Sequence, residues 1–340
     1  LRECKAALTA TGLISIMSLS NSFANSSSQI LIFGKNGQLG RAFQNALRNH
    51  AHQHIQFIGR GVGSHEEPPN TCNLENPLAL EQLLKKQQPN LIINAAAYTA
   101  VDQAETDKER AFAINATAVQ IMAEYAAKTN ATLLHYSTDY VFDGKKEVAY
   151  LETDLPEPLG MYGASKAAGE AAIIALAPHY AIFRTSWVYG DGANFIRTIL
   201  RLAKDREELA IVSDQFGAPT SAAWLAQISL DFIAQPFASG IYHAVPDGDT
   251  TWYELACLVV QTALDAGASL KLQVANIRPI PSKDYPTPAP RPNNSKMANM
   301  KLKRVFADRL AASAKDSVPD FPHWQLAVID YVQQLVKQVK

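Results

Sequence analysis

The sequence predicts an α/β chain, a doubly wound parallel sheet with a smaller mixed α/β lobe in its C-terminal part. Three observations carry that expectation. Short apolar runs alternate with longer helical stretches from Gln29 to about Trp187, the signature of βαβ units with helices on both faces of a parallel sheet. A glycine turn follows the first apolar run and opens the first helix. Beyond Trp187 the alternation loosens and prolines accumulate, as in a separate lobe.

Taken in order, Ile30–Phe33 reads as a strand, Gln38–Asn49 as a helix and Ile55–Ile58 as the second strand. Helix Pro77–Gln87 leads to strand Leu91–Ile93, which runs into Asn94, Ala95, Ala96 and Ala97. One long helix from about Asp107 to Thr129 precedes strand Thr132–Tyr136, and a helix from about Tyr162 to Leu176 precedes strand Tyr180–Thr185. In the second half, Asn194–Lys204, Ser221–Ala234 and Thr251–Ala266 read as helices and Ile241–Val245 as a strand. Pro279, Pro281, Pro286, Pro288, Pro290 and Pro292 make Ile277–Pro292 an extended loop, because proline lacks the helical N–H donor. A helix from about Phe321 to Val339 follows. The expected division is a leader over 1–28 without fixed structure, a nucleotide-binding domain over 29–190 to which 215–245 returns, and a second lobe over 191–214 and 246–340.

The 340 residues carry 31 Lys+Arg against 32 Asp+Glu, a formal net charge of −1. That balance argues against a nucleic-acid partner, which needs a basic face. No apolar run is long enough to span a bilayer, so no membrane partner is expected. Cys4, Cys72 and Cys257 are too scattered for a disulfide framework or zinc knuckle, and a reducing, cytoplasmic location follows. Residues 1–28 have a basic start at Arg2 and Lys5, a diluted apolar middle and a small-residue site at Ser22-Phe23-Ala24. An export signal competes there with an unstructured leader or an early start ahead of Met17, and the diluted middle favours the latter two.

The turn Gly34-Lys35-Asn36-Gly37-Gln38-Leu39-Gly40 lets backbone N–H groups and a helix N-terminus approach a pyrophosphate, which makes the sheet Rossmann-like. The second strand ends Phe57-Ile58-Gly59-Arg60, with no acid before Glu66. A carboxylate at this place would hold the ribose hydroxyls of NADH, whereas Arg60 can pair with a 2′-phosphate. NADPH is therefore expected, with NADH possible but weaker. Asn73 and Leu74 are candidates to flank the adenine, and Ala95, Ala96 and Ala97, with Thr99 beyond them, to let the cofactor cross the sheet edge.

Tyr162 and Lys166 lie four residues apart on a helix and share a face, and Ser137-Thr138-Asp139 ends the preceding strand. A phenol, an ammonium that would stabilise its anion, and a hydroxyl for a developing oxyanion suit carbonyl reduction. The histidines show no metal-ligand spacing; His50, His52 and His54 read as solvated, and Asp102 and Glu105 as surface or capping carboxylates.

Together these residues resemble the extended short-chain dehydrogenase/reductases, and within them the family of dTDP-4-dehydrorhamnose reductases. The resemblance rests on ILIFGKNGQLG at 30–40, NAAAYTAVDQAE at 94–105, HYSTDYVFDG at 135–144, ETDLPEPLGMYGASKAAGE at 152–170, RTSWVYG at 184–190, SDQFGAPTSA at 213–222, TTWYELA at 250–256 and YPTPAPRPNNS at 285–295. It implies NADPH-dependent reduction of the 4-keto group of a dTDP-sugar. Tyr162 would give the proton, Lys166 would hold the nicotinamide ribose and tune Tyr162, and Thr138 would bind the keto oxygen. Asp139 and Trp187 would contact the substrate, and Arg291, in a proline-fixed loop, suits its diphosphate.

The family often has Asp where this chain has Asn73. Some members also bridge a dimer with magnesium through glutamates. Ala42, Ala223 and Met300 stand at the aligned positions and cannot ligate it, so a monomer or weak homodimer without bridging metal is expected. A nucleotide-sugar 4-epimerase and an NADP-binding regulatory subunit of methionine adenosyltransferase share parts of the pattern. Arg60 and SDQFGAPTSA speak against the first, and the intact Thr138, Tyr162 and Lys166 set against the second.

Overall fold

The computed structural model describes residues 29–48, 54–61, 70–312 and 319–339. The leader with Ser22-Phe23-Ala24, and also His50, His52 and Glu66, lie outside the described residues. Along the chain, β1 (Ile30–Phe33), β2 (Ile55–Arg60), β3 (Thr71–Cys72), β4 (Leu91–Asn94), β5 (Thr132–Thr138) and β6 (His179–Thr185) come first. Short strands β7 (Val188–Tyr189), β8 (Leu209–Val212), β9 (Phe216–Gly217) and β10 (Thr220–Ser221) follow, then β11 (Gly240–His243), β12 (Thr250–Thr251) and β13 (Ile277–Ile280). The main sheet has seven strands in the order β11-β6-β5-β4-β1-β2-β3, every pairing parallel. Strand order reverses between β1 and β4, and ligands of open α/β sheets bind at such a switch point, outside the carboxyl ends.

Period-two alternation buries both faces of the sheet. Leu31, Phe33, Leu133 and Ile182 pack with Leu80, Leu84, Val119, Met122 and Ile173 of the helices Pro77–Gln87, Ala118–Thr129 and Met161–Leu176. Ile32, Leu134 and Phe183 face the other way, onto Phe43 of helix Gln38–Ala46 and Leu225 of helix Ala222–Ile233. Leu302 and Phe306 join that second layer from helix Met300–Ala312, which the sequence reading missed because its basic, polar stretch masks a short apolar stripe.

A further core gathers Ile196, Ile199, Leu255, Val259, Val328 and Val332 from helices Phe195–Asp205, Trp252–Asp265 and Trp324–Val339. A capping box explains where the middle one starts: Thr251 Oγ1 accepts from Glu254 N–H and the Glu254 carboxylate accepts from Thr251 N–H. Among the described residues, three further two-stranded sheets pair β7 with β10, β9 with β12 and β8 with β13.

Two expectations need correction. The stretch from Asp107 is not one helix: Lys108–Phe112 and Ala118–Thr129 are separated by a π-helical turn over Ala113–Thr117. Asn115 sits in that turn and bonds Tyr98 N–H, Tyr98 O and Ser165 Oγ, so the widened turn delivers a buried amide across to the neighbouring helix. The proline-rich segment is not loop throughout, since Ile277–Ile280 pairs in parallel with Leu209–Val212. Pro279 is tolerated because, among the described residues, this sheet has two strands and each keeps an unpaired edge.

Candidate active site

Gly34 follows β1 with φ of 90°, the left-handed region where glycine is at ease, and a Cβ on it would lie 2.6 Å from the Ala95 carbonyl. Under the same turn, a Cβ on Gly40 would come within 2.1 Å of Gly34 O, so helix Gln38–Ala46 can start this close to the strand only without side chains. A groove of about 660 Å³ runs over this cradle along the carboxyl edge of the sheet.

Gly34, Gly37, Gln38, Leu39, Arg60, Asn73, Leu74, Ala95, Ala96, Ala97 and Thr99 all line the groove, and Tyr162 and Lys166 line it too. Gly40 does not line it and acts from beneath. Arg60 is exposed at the end of β2, where a phosphate could reach it. Asn73 Oδ1 already accepts from Glu75 N–H, which fixes the amide at the groove wall. Ser137 and Thr185, on neighbouring strands β5 and β6, keep buried hydroxyls with no hydrogen-bond partner among the described residues at its inner end. A glycine cradle at one end and unsatisfied hydroxyls at the other fit an elongated polar ligand such as a dinucleotide. Neither hydroxyl was singled out from the sequence, where serine and threonine at strand ends are too common to stand out.

At the inner end, the Thr138 hydroxyl stands close enough to the Tyr162 phenol to act on its charge. Thr138 Oγ1 accepts from Tyr140 N–H and donates to Asp139 Oδ1 at 2.9 Å. Burial pushes the Tyr162 phenol up to about 12, the nearby Thr138 hydroxyl counteracting and the Asp139 charge reinforcing it. Burial likewise raises the Asp139 carboxyl to about 6.

Lys166 is not arranged as expected. Its Nζ donates to Tyr136 O at 2.5 Å and lies 3.1 Å from His135 Nε2, so burial rather than Lys166 sets the Tyr162 phenol. The strand carbonyl draws the ammonium toward the sheet because a buried N–H needs an acceptor.

None of the substrate candidates Thr138, Asp139, Trp187 and Arg291 lines the groove, though Thr138 and Asp139 stand close enough to Tyr162 to act on its phenol. Trp187 has φ of 46°, a costly conformation for a large residue, and stacks on Trp252 with ring centroids 3.5 Å apart. Arg291 is no unengaged guanidinium: it bonds Asp102 Oδ2 at 2.9 Å and Ala289 O at 3.0 Å. Asp102 thus braces the proline-rich segment, its carboxyl held below the usual range by Arg291. Glu105 acts as a cap, accepting from Met161 N–H at 2.7 Å at the start of the Tyr162 helix.

A parallel doubly wound sheet whose switch point carries a glycine cradle, with a Tyr-Lys helix crossing the next strand end, places the chain among the Rossmann-fold oxidoreductases of the short-chain dehydrogenase/reductase class. More narrowly, the chain belongs to the family described as RmlD substrate binding domain, whose profile matches residues 28–334. It is 42% identical over 312 residues to the dTDP-4-dehydrorhamnose reductase of Escherichia coli strain K12, covering 90% of this chain and 97% of that protein. A crystal structure of a dTDP-4-dehydrorhamnose reductase from Clostridium acetobutylicum is similar with a TM-score of 0.77 and 32% identity, over 90% of this chain and 99% of that one. The Bacillus anthracis reductase, crystallised in complex with NADP, gives a TM-score of 0.73 at 30% identity, over 90% of this chain and 98% of that one.

Proposed function

We propose that the chain reduces the 4-keto group of dTDP-4-dehydro-6-deoxy-L-mannose (dTDP-6-deoxy-L-lyxo-4-hexulose) to dTDP-L-rhamnose with NADPH, the last step in making that nucleotide sugar. The observation that carries this reading is Tyr162, with Thr138 beside it, on the wall of a groove that starts at the glycine cradle, in a chain so similar to reductases of that name. NADPH, when bound, supplies the hydride. The glycine cradle and the N-terminus of helix Gln38–Ala46 hold the pyrophosphate, Arg60 the 2′-phosphate, and Lys166 the nicotinamide ribose. Thr138 holds the keto oxygen, and Tyr162, its phenol kept protonated by burial, gives that oxygen a proton. Asp139 and Trp187 contact the sugar. Arg291 retains N–H donors beyond those used on Asp102 and Ala289, and these serve the diphosphate. We assign 29–190 with 215–245 to the cofactor domain and 191–214 with 246–340 to the substrate lobe, except helix Met300–Ala312, which packs on the main sheet.

NADPH oxidation in the presence of the 4-keto sugar tests the reading, and no turnover would overturn it. Arg60→Ala should weaken NADPH binding by about tenfold to a hundredfold, the worth of charge-assisted phosphate bonds, while leaving NADH affinity unchanged. Equal losses for both cofactors, in a fluorescence titration, would remove Arg60 from the 2′-phosphate.

A nicotinamide-dependent sugar reductase without a membrane-spanning helix among the described residues belongs in the cytoplasm in this reading, with no nucleic-acid or membrane partner. Ala42, Ala223 and Met300 offer no magnesium ligand, so light scattering should return the same monomer or weak dimer mass with and without chelator. A mass that falls on chelation would contradict this.

A further inference from the structure

His135 is fully buried on β5, and the proposed chemistry gives it no part. Its ring is held from both sides. Asn94 Nδ2 lies 3.1 Å from Nδ1, and Lys166 Nζ lies 3.1 Å from Nε2. The Asn94 amide cannot be turned round at no cost, because its Oδ1 accepts from Ala96 N–H at 3.2 Å. Asn94 therefore presents N–H groups to Nδ1, and Nδ1 must supply a lone pair. A neutral imidazole has one proton, which then sits on Nε2, pointing at Lys166. Two donors facing each other make no hydrogen bond, so Nε2–H can bond Lys166 only when Nζ offers a lone pair, as a neutral amine. That amine still donates to Tyr136 O.

We propose that His135, locked by Asn94 with its proton on Nε2, is a positioning residue that stabilises the uncharged amine of Lys166. The proposal rests on the reductase reading for its purpose. The proton that Tyr162 gives to the substrate oxygen has to be replaced, and Lys166 stands one helical turn away. Losing its proton toward the phenolate leaves Lys166 neutral; solvent later restores it, and His135 itself neither gains nor loses a proton. A lysine whose neutral form is hydrogen-bonded releases its proton at lower pH than one whose ammonium is.

The surrounding charges agree. Burial brings Lys166 down to about 8 and holds His135 well below the usual histidine range, hence neutral. The titratable groups nearby are Tyr162 and Glu170 on the same helix; Glu170 opposes the shift of Lys166 but is itself paired with Arg184 of β6.

Two measurements on the free protein test this. In ¹⁵N-histidine NMR, the signal lost in His135→Leu should show the proton on Nε2 in the wild type. Asn94→Asp, of the same shape, should move the proton to Nδ1, since a carboxylate accepts and cannot donate. Titration of ¹³Cε-labelled lysine should then place Lys166 higher by about one pH unit in Asn94→Asp, the worth of one hydrogen bond reversed from donor to acceptor. Asn94→Leu, which frees the tautomer without adding charge, should move it the same way. Wild-type His135 protonated on Nδ1, or a Lys166 titration unmoved in both variants, would overturn the proposal. Where a variant does not fold, the wild-type tautomer decides. Absence of keto-sugar turnover alongside the Nε2–H tautomer would sink the reductase reading and leave this assignment standing.

Discussion

Tyr162→Phe should lower NADPH-dependent turnover of the keto sugar by at least about a hundredfold, with NADPH affinity within a few-fold of wild type. The substitution removes one oxygen and little else. The ring stays edge-on to Tyr140, at 5.9 Å between centroids, and the helix Met161–Leu176 keeps its Glu105 cap. What goes is the hydroxyl beside Thr138, the group placed to protonate the new alkoxide. Because the loss falls on the chemical step, it should appear in kcat and not in KM alone. A variant retaining more than about a tenth of wild-type turnover would remove Tyr162 as the proton donor, since general acid catalysis is worth more than that. A companion Thr138→Val should also lose rate, because the oxyanion then lacks a donor.

Glu170→Ala should cost about 3–5 kcal/mol of stability in denaturant unfolding, the largest effect expected of any single change away from the groove. Glu170 and Arg184 are only 2% and 1% exposed, and they meet through Nη2–Oε2 at 2.6 Å and Nε–Oε1 at 3.0 Å. The guanidinium also lies over the Phe142 ring, 5.0 Å from its centroid. Truncating the acid strands that charge among apolar side chains, where water cannot reach it. Replacing both partners together, as Glu170→Leu with Arg184→Met, should cost far less, because no buried charge is left behind. A single variant destabilised by less than about 1 kcal/mol would show that the pair is hydrated in solution. The site should feel the change as well, since Glu170 is the nearby charge that favours protonated Lys166.

The difference between the two readings of Lys166 shows where sequence stops. Spacing alone places Lys166 and Tyr162 on one helix face, and that is a matter of 3.6 residues per turn. Which acceptor the ammonium chooses is another matter. The Tyr136 carbonyl and the His135 ring belong to β5, and only packing of the helix against that strand brings them to Nζ. Arg291 tells the same story. Its proline-rich setting was visible in the sequence, but its partner Asp102 lies 189 positions away. Helix Met300–Ala312 and the π-helical turn at Asn115 escaped for a related reason: each is stabilised by distant residues more than by its own pattern.

The strand–helix alternation, the glycine turn, Arg60 without a competing acid, and the Thr138, Tyr162 and Lys166 set were legible in the chain by itself. Local conformation and side-chain period are properties of neighbours in sequence, and so these features could be read there. Tertiary structure decided the rest: the seven-strand order with its switch point, the unpartnered Ser137 and Thr185 hydroxyls, the buried Glu170–Arg184 pair, and the Asn94–His135–Lys166 chain. Each depends on which groups lose water together, and burial, unlike periodicity, is fixed only when distant segments meet.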